Sequence, residues 1–145
     1  MYKTIKGSKT EISLMIAFAS ESMAVNRYLY FAKVAKKEGL EVIADIFSKI
    51  SREEKSHASV FYQFFEGGTV EVNASFPAVK VADTKSNLEA SIQGENATWT
   101  TRYPGFAQTA REEGFLEIAD IFQRFANSEK NHEDQFKKAF EELRH

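Results

Sequence analysis

The sequence predicts an all-α protein, an antiparallel bundle of four helices built as two hairpins with one long crossover between the second and third. Three observations lead there. Apolar residues recur at helical spacing over four long stretches. The only prolines are Pro77 and Pro104, so most of those stretches run free of helix breakers. And the second half of the chain repeats the first.

Taken in order, the spacing predicts helices over 10–37, 40–66, 84–112 and 115–143. Gly39 and Gly114 each close one helix just before the next opens, which makes helices one and two, and three and four, antiparallel neighbours. Residues 67–83 show no helical period and form the linker. At about 3.3 Å per residue they reach about 55 Å, while a helix of about 27 residues is about 40 Å long. The linker can therefore cross the whole bundle, and one such crossover between two hairpins is the ferritin-like arrangement. The chain is expected to be a single domain over 1–145, with pseudo-repeats at about 10–66 and 84–143.

The repeat has an offset of 75. Tyr28 matches Tyr103, Glu38-Gly39 matches Glu113-Gly114, and Ile43-Ala44-Asp45-Ile46-Phe47 matches Ile118-Ala119-Asp120-Ile121-Phe122. Glu21 and Glu95 need an offset of 74, so helix three carries one extra residue between Glu95 and Arg102. A π-bulge is the usual way a helix absorbs an insertion. Pro104 just downstream, with no N–H to donate, independently predicts distortion.

Composition narrows the function classes. Nineteen basic and 21 acidic residues leave a net charge of -2 with no basic tract, which argues against nucleic acid. No apolar run is long enough for a signal peptide or a membrane span, so a soluble cytoplasmic protein is expected. With no cysteine, disulfides, iron–sulfur clusters and Cys-x-x-Cys iron sites are excluded from these residues.

The chemistry lies in two Glu-x-x-His motifs, Glu54-Lys55-Ser56-His57 and Glu129-Lys130-Asn131-His132. Positions i and i+3 share a helix face, so each motif aims a carboxylate and an imidazole at one point. Alone, such a pair is usually a solvated surface feature. Here Glu54 and His57 interrupt the stripe Ile43, Phe47, Ile50, Phe61, Phe64, and Glu129 and His132 interrupt Ile118, Phe122, Phe125, Phe136, Phe140. Glu21 sits among Leu14, Phe18 and Tyr28, and Glu95 among Leu88, Ile92 and Trp99.

Unpaired charge on a core face costs several kcal/mol, and no Lys or Arg shares those stripes at that level. A pair of divalent cations is the economical partner. One ion is expected on Glu21 and His57, the other on Glu95 and His132, with Glu54 and Glu129 bridging. Oxygen and nitrogen donors in this ratio suit iron or manganese, and zinc could replace them. Tyr28 and Tyr103 fit hydrogen-bond donors to the ligands, and equally fit amphipathic core tyrosines. His145, at the terminus, reads as a bystander.

Both motifs, together with Glu21-Ser22-Met23-Ala24, Asn26-Arg27-Tyr28, Gly94-Glu95-Asn96, Trp99-Thr100, Tyr103-Pro104 and Arg111-Glu112-Glu113-Gly114-Phe115, resemble rubrerythrin, in its short form without a rubredoxin domain. The resemblance covers nearly the whole chain. It implies a ferritin-like bundle with a di-iron centre that reduces hydrogen peroxide to water. It also implies an external electron donor such as rubredoxin, and homodimers that sometimes exchange helices.

One departure stands out. The family pattern on helix three is Glu-x-x-Glu, whose second glutamate is a seventh ligand that one iron reaches by leaving His on oxidation. Here the residues are Glu95-Asn96-Ala97-Thr98. Thr98 faces the centre three residues after Glu95 and could hydrogen-bond a metal-bound water, but it cannot balance ferric charge. Two alternatives to the peroxidase therefore stay open: a six-ligand oxidase or ferroxidase using O2, and a metal-binding protein with little turnover.

Overall fold

The computed structural model describes residues 3–144, with Arg144 described in its backbone only; the bystander reading of His145 lies outside the described residues. Six helical segments occur in order: α1 (Lys9–Lys37), α2 (Glu41–Tyr62), α3 (Thr84–Ala97), a π-helical turn (Thr98–Arg102), α4 (Tyr103–Glu112) and α5 (Leu116–Arg144). α3, the π turn and α4 together make the third rod of a four-rod bundle. α1 packs along α2, and α3 and α4 pack along α5. This is the expected all-α, ferritin-like architecture. No helix among the described residues is long and apolar enough to cross a membrane.

Each hairpin turns in the same way. Leu40 N–H bonds Ala35 O at 2.8 Å and Gly39 N–H bonds Lys36 O at 3.1 Å; Phe115 N–H bonds Ala110 O at 2.8 Å and Gly114 N–H bonds Arg111 O at 3.1 Å. These are Schellman closures, and they require the left-handed backbone that Gly39 (φ 78°) and Gly114 (φ 86°) adopt. The residue before each glycine reaches across to the opposite hairpin. Glu113 accepts from Lys9 N at 3.1 Å and Thr10 N at 2.7 Å, capping α1. Glu38 accepts from Thr84 N at 3.2 Å, capping α3.

Two boundaries depart from the sequence reading. The second helix ends at Tyr62 rather than 66. Phe64 N and Phe65 N bond three residues back, to Phe61 O and Tyr62 O, so the backbone tightens out of the α ladder. Glu66 then accepts from Thr4 Oγ1 and Ile5 N, tying the chain's start to this corner. The third helix is not continuous over 84–112, because the extra residue is taken up as the π turn. There Tyr103 N–H bonds Thr98 O, five residues back. The other ends agree within one residue.

The core falls into two apolar clusters with a polar layer between them. One contains Leu14, Ala17, Phe61, Tyr103, Ile118 and Phe122. The other contains Tyr28, Phe31, Phe47, Ile50, Leu88 and Phe136. Along each rod the candidate ligands fall between residues of the two clusters.

Candidate metal centre

All six candidate ligands are buried. Glu21, Glu54, Glu95, Glu129 and His132 are each 2% exposed, and His57 is 8% exposed. They converge as two overlapping groups, Glu21, Glu54, His57 and Glu129, then Glu54, Glu95, Glu129 and His132, each with donor atoms within 4.8 Å of one another. The shared members are the two glutamates of the Glu-x-x-His motifs. Glu21 and His57 belong to the first group alone, Glu95 and His132 to the second alone.

The imidazoles enter by the same atom. His57 Nδ1 lies 3.8 Å from Glu21, 3.4 Å from Glu54 and 3.1 Å from Glu129. His132 Nδ1 lies 3.3 Å from Glu54, 3.8 Å from Glu95 and 3.7 Å from Glu129. The two rings are nearly parallel, 6.1 Å apart. Among the described residues, no Lys or Arg forms an ion pair with any of the six.

Protein groups alone do not satisfy these donors. Glu21 Oε2, Glu54 Oε1, Glu95 Oε2, Glu129 Oε1, His57 Nδ1 and His132 Nδ1 are buried with no hydrogen-bond partner. Buried polar atoms are rarely left so, and six of the eight such side-chain atoms among the described residues are gathered in the cage, Glu11 Oε2 and Thr84 Oγ1 being the other two. The set fits two cations.

With only protons to balance the charge, the cage shifts its own titrations. Burial and the Glu54 charge push Glu21 up to about 8. Burial and the charges of Glu21, Glu54 and Glu95 raise Glu129 well above the carboxylate range. Burial disfavours the Glu54 carboxylate too, yet the His132 and His57 imidazoles facing it outweigh burial and hold that group low. The histidines go up despite burial, His57 to about 9 beside Glu21 and Glu54, and His132 to about 11 beside Glu54 and Glu95.

The tyrosines pair across hairpins. Tyr28 on α1 donates its phenol to Glu95 on α3 at 2.6 Å, and Tyr103 donates to Glu21. Burial and those carboxylates raise both phenols well above 10, so both keep their protons. The π turn aims Tyr103 inward: eight residues after Glu95 lie about 80° off its face on a regular helix, seven only about 20°. Thr98 lines a cavity of about 360 Å³ that also touches Glu21, Glu95, Arg102 and, from the crossover, Pro77 and Val79. Its hydroxyl donates to Gly94 O at 3.0 Å. The proton that the sequence reading offers to a bound water is thus engaged within the helix.

The sequence reading missed three contacts. Glu53 Oε2 lies 2.9 Å from His132 Nε2. Arg102 Nη1 donates to Ser20 Oγ at 2.6 Å. Trp99 Nε1 donates at 2.7 Å to Glu133, whose carboxylate also meets Lys137 at 2.6 Å. No sequence signal singled out Glu53: its counterpart in the repeat is Ser128, but residues 48–52 also differ from 123–127.

The family model for rubrerythrin matches residues 13–140. The chain belongs to the rubrerythrin family. Rubrerythrin from Porphyromonas gingivalis is 53% identical over 136 residues, covering 94% of this chain and 68% of that protein. Rubrerythrin from Nitratidesulfovibrio vulgaris is 48% identical over 134 residues, covering 92% and 70%. Symerythrin from Cyanophora paradoxa, in a crystal structure reduced with dithionite, superposes with a TM-score of 0.83 at 23% identity, over 100% of this chain and 90% of that one; this likeness speaks for the fold alone. Nigerythrin in its fully reduced, all-ferrous state superposes with a TM-score of 0.78 at 26% identity, over 97% of this chain and 73% of that one. Membership of this family implies a di-iron oxidoreductase, and the buried Glu and His groups of this chain are able to hold metal ions.

Proposed function

We propose that this chain is a rubrerythrin-type peroxidase that reduces hydrogen peroxide to water at a di-iron centre. Glu21 and His57 would hold one iron and Glu95 and His132 the other, with Glu54 and Glu129, members of both donor groups, available to each. The observation that carries this reading is the convergence of six buried, unpartnered donor atoms from all four rods on one cage. Bound there in the ferrous state, two irons would supply the two electrons that, with two protons, turn one H2O2 into two waters.

The protein's own part is to bind, orient and shield. Four carboxylates balance two divalent cations in a layer walled by apolar clusters on both sides. Tyr28 and Tyr103 steady the terminal glutamates by hydrogen bonds. The cavity of about 360 Å³ beside Glu21 and Glu95 has room for peroxide, since a water occupies about 30 Å³. These 145 residues contain no cysteine. Electrons therefore come from a donor centre outside them, such as that of rubredoxin.

Thr98 favours a second reading, a six-ligand oxidase or ferroxidase using O2. Anaerobic stopped-flow spectroscopy of the iron-loaded, reduced protein separates the two. Rapid oxidation by H2O2 with slow oxidation by O2 supports the peroxidase. Faster reaction with O2 overturns it in favour of the oxidase.

A further inference from the structure

Building on the metal assignment just proposed, we infer that Glu53 makes the two metal positions unequal. It orients His132 from behind, so that the ion on Glu95 and His132 is held more tightly than the ion on Glu21 and His57.

The halves of the repeat agree where residues face the cage and differ behind the imidazoles. On one side, Glu53 Oε2 lies 2.9 Å from His132 Nε2. The Glu53 side chain is 42% exposed and the His132 side chain 3%. A neutral imidazole carries one N–H and one lone pair. A carboxylate at Nε2 keeps the hydrogen there and leaves the Nδ1 lone pair aimed at Glu54, Glu95 and Glu129. It also holds the ring in place and makes the donor nitrogen more basic.

On the other side, Ser128 stands where the repeat would place Glu53. His57 Nε2 has no protein partner among the described residues, and the His57 side chain is more exposed, at 11%. Its ring instead stacks on Phe125, with centroids 4.0 Å apart. Stacking limits ring tilt but accepts no hydrogen bond and selects no tautomer. The carboxylate–imidazole unit is thus built on one side only. Glu53 acts as a positioning residue, since it touches a ligand rather than the ion.

Removing such a carboxylate typically weakens metal binding by about 10- to 100-fold. The test uses Zn2+, which has no redox chemistry, added to metal-free protein against a competing chelator. Long-range ¹H–¹⁵N spectra of the histidine rings identify the site filled at each step. The wild-type protein is expected to take two equivalents in separable steps, with His132 Nδ1 shifting at the first and His57 Nδ1 at the second. Glu53→Gln should weaken the first step by about 10- to 100-fold and leave the second within about twofold; Glu53→Asp should restore part of the loss. Ser128→Glu should tighten the second step.

Filling of His57 first, simultaneous filling, or an unchanged first step in Glu53→Gln overturns the inference while leaving the two-ion centre intact. Uptake of fewer than two equivalents, or rings that do not respond, overturns the centre itself and the inference with it.

Discussion

Tyr28, on the first rod, hydrogen-bonds Glu95, on the third, at 2.6 Å, and the pseudo-symmetric Tyr103 bonds Glu21 in return. Each tyrosine therefore orients a candidate ligand of the opposite hairpin, so the two hairpins are joined at the level of the cage. Tyr28→Phe keeps the packing and deletes one charge-assisted bond, worth about 2 kcal/mol. The expected result is a metal-free protein with unchanged helicity and a melting temperature several degrees lower. An unchanged melting temperature would show that the bond does not help to close the bundle.

Thr98 leads to a redox prediction. Thr98→Glu places a carboxylate beside the cage and gives up only the hydroxyl bond to Gly94. A unit charge about 5 Å away at an effective dielectric of about 20 is worth about 3 kcal/mol, on the order of 100 mV per electron. Ferric ions gain more from the added charge than ferrous ions. The variant's reduction potential should therefore fall by an amount on that scale in spectroelectrochemical titration. An unchanged potential contradicts the electrostatic reading.

Stability should depend on pH differently with and without metal. His57 and His132, raised to about 9 and about 11, stabilise the metal-free fold fully below about 6.5, and the His57 share is lost as pH rises through about 9. Glu21, raised to about 8, keeps a proton that the unfolded chain releases above about 4.5, so it too makes stability fall as pH rises. Glu54, held low, acts the other way, and its share disappears only on strong acidification. The metal-free protein should melt progressively lower from pH 6 to pH 9. Zinc takes over the role of those protons, so the gap between loaded and metal-free melting temperatures should widen with pH. A constant gap contradicts this.

The caps give a prediction for the fold alone. Glu113 accepts two backbone N–H groups at the start of α1, whereas Glu38 accepts one, at 3.2 Å, at the start of α3. Glu113→Ala should cost about 1 kcal/mol in denaturant unfolding, in the range of lost helix caps, and Glu38→Ala should cost less. The reverse order would show that these contacts do not cap.

The parts of this molecule legible in the sequence are those written in helical spacing. Glu54 and His57 share a face because they are three residues apart, and the mismatch between offsets of 74 and 75 announces the π turn between Glu95 and Tyr103. What spacing does not encode is which rod faces which. The sequence sets Tyr28 on the face of Glu21, seven residues earlier, but the phenol crosses to Glu95. Phe64 and Phe65 continue an aromatic helical pattern, yet Glu66 bonds Thr4 and Ile5 beyond the helix end at Tyr62. Glu53 looks like a surface residue beside a motif until α5 brings His132 against it. All three are contacts between distant segments, fixed by packing rather than by local period.

X-ray diffraction from crystals of iron-loaded protein, recorded on either side of the iron absorption edge, tests the central claim most directly. Two anomalous peaks should appear, one between Glu21 and His57 and one between Glu95 and His132, with Glu54 and Glu129 touching both. A single peak, or peaks away from these six side chains, would contradict it.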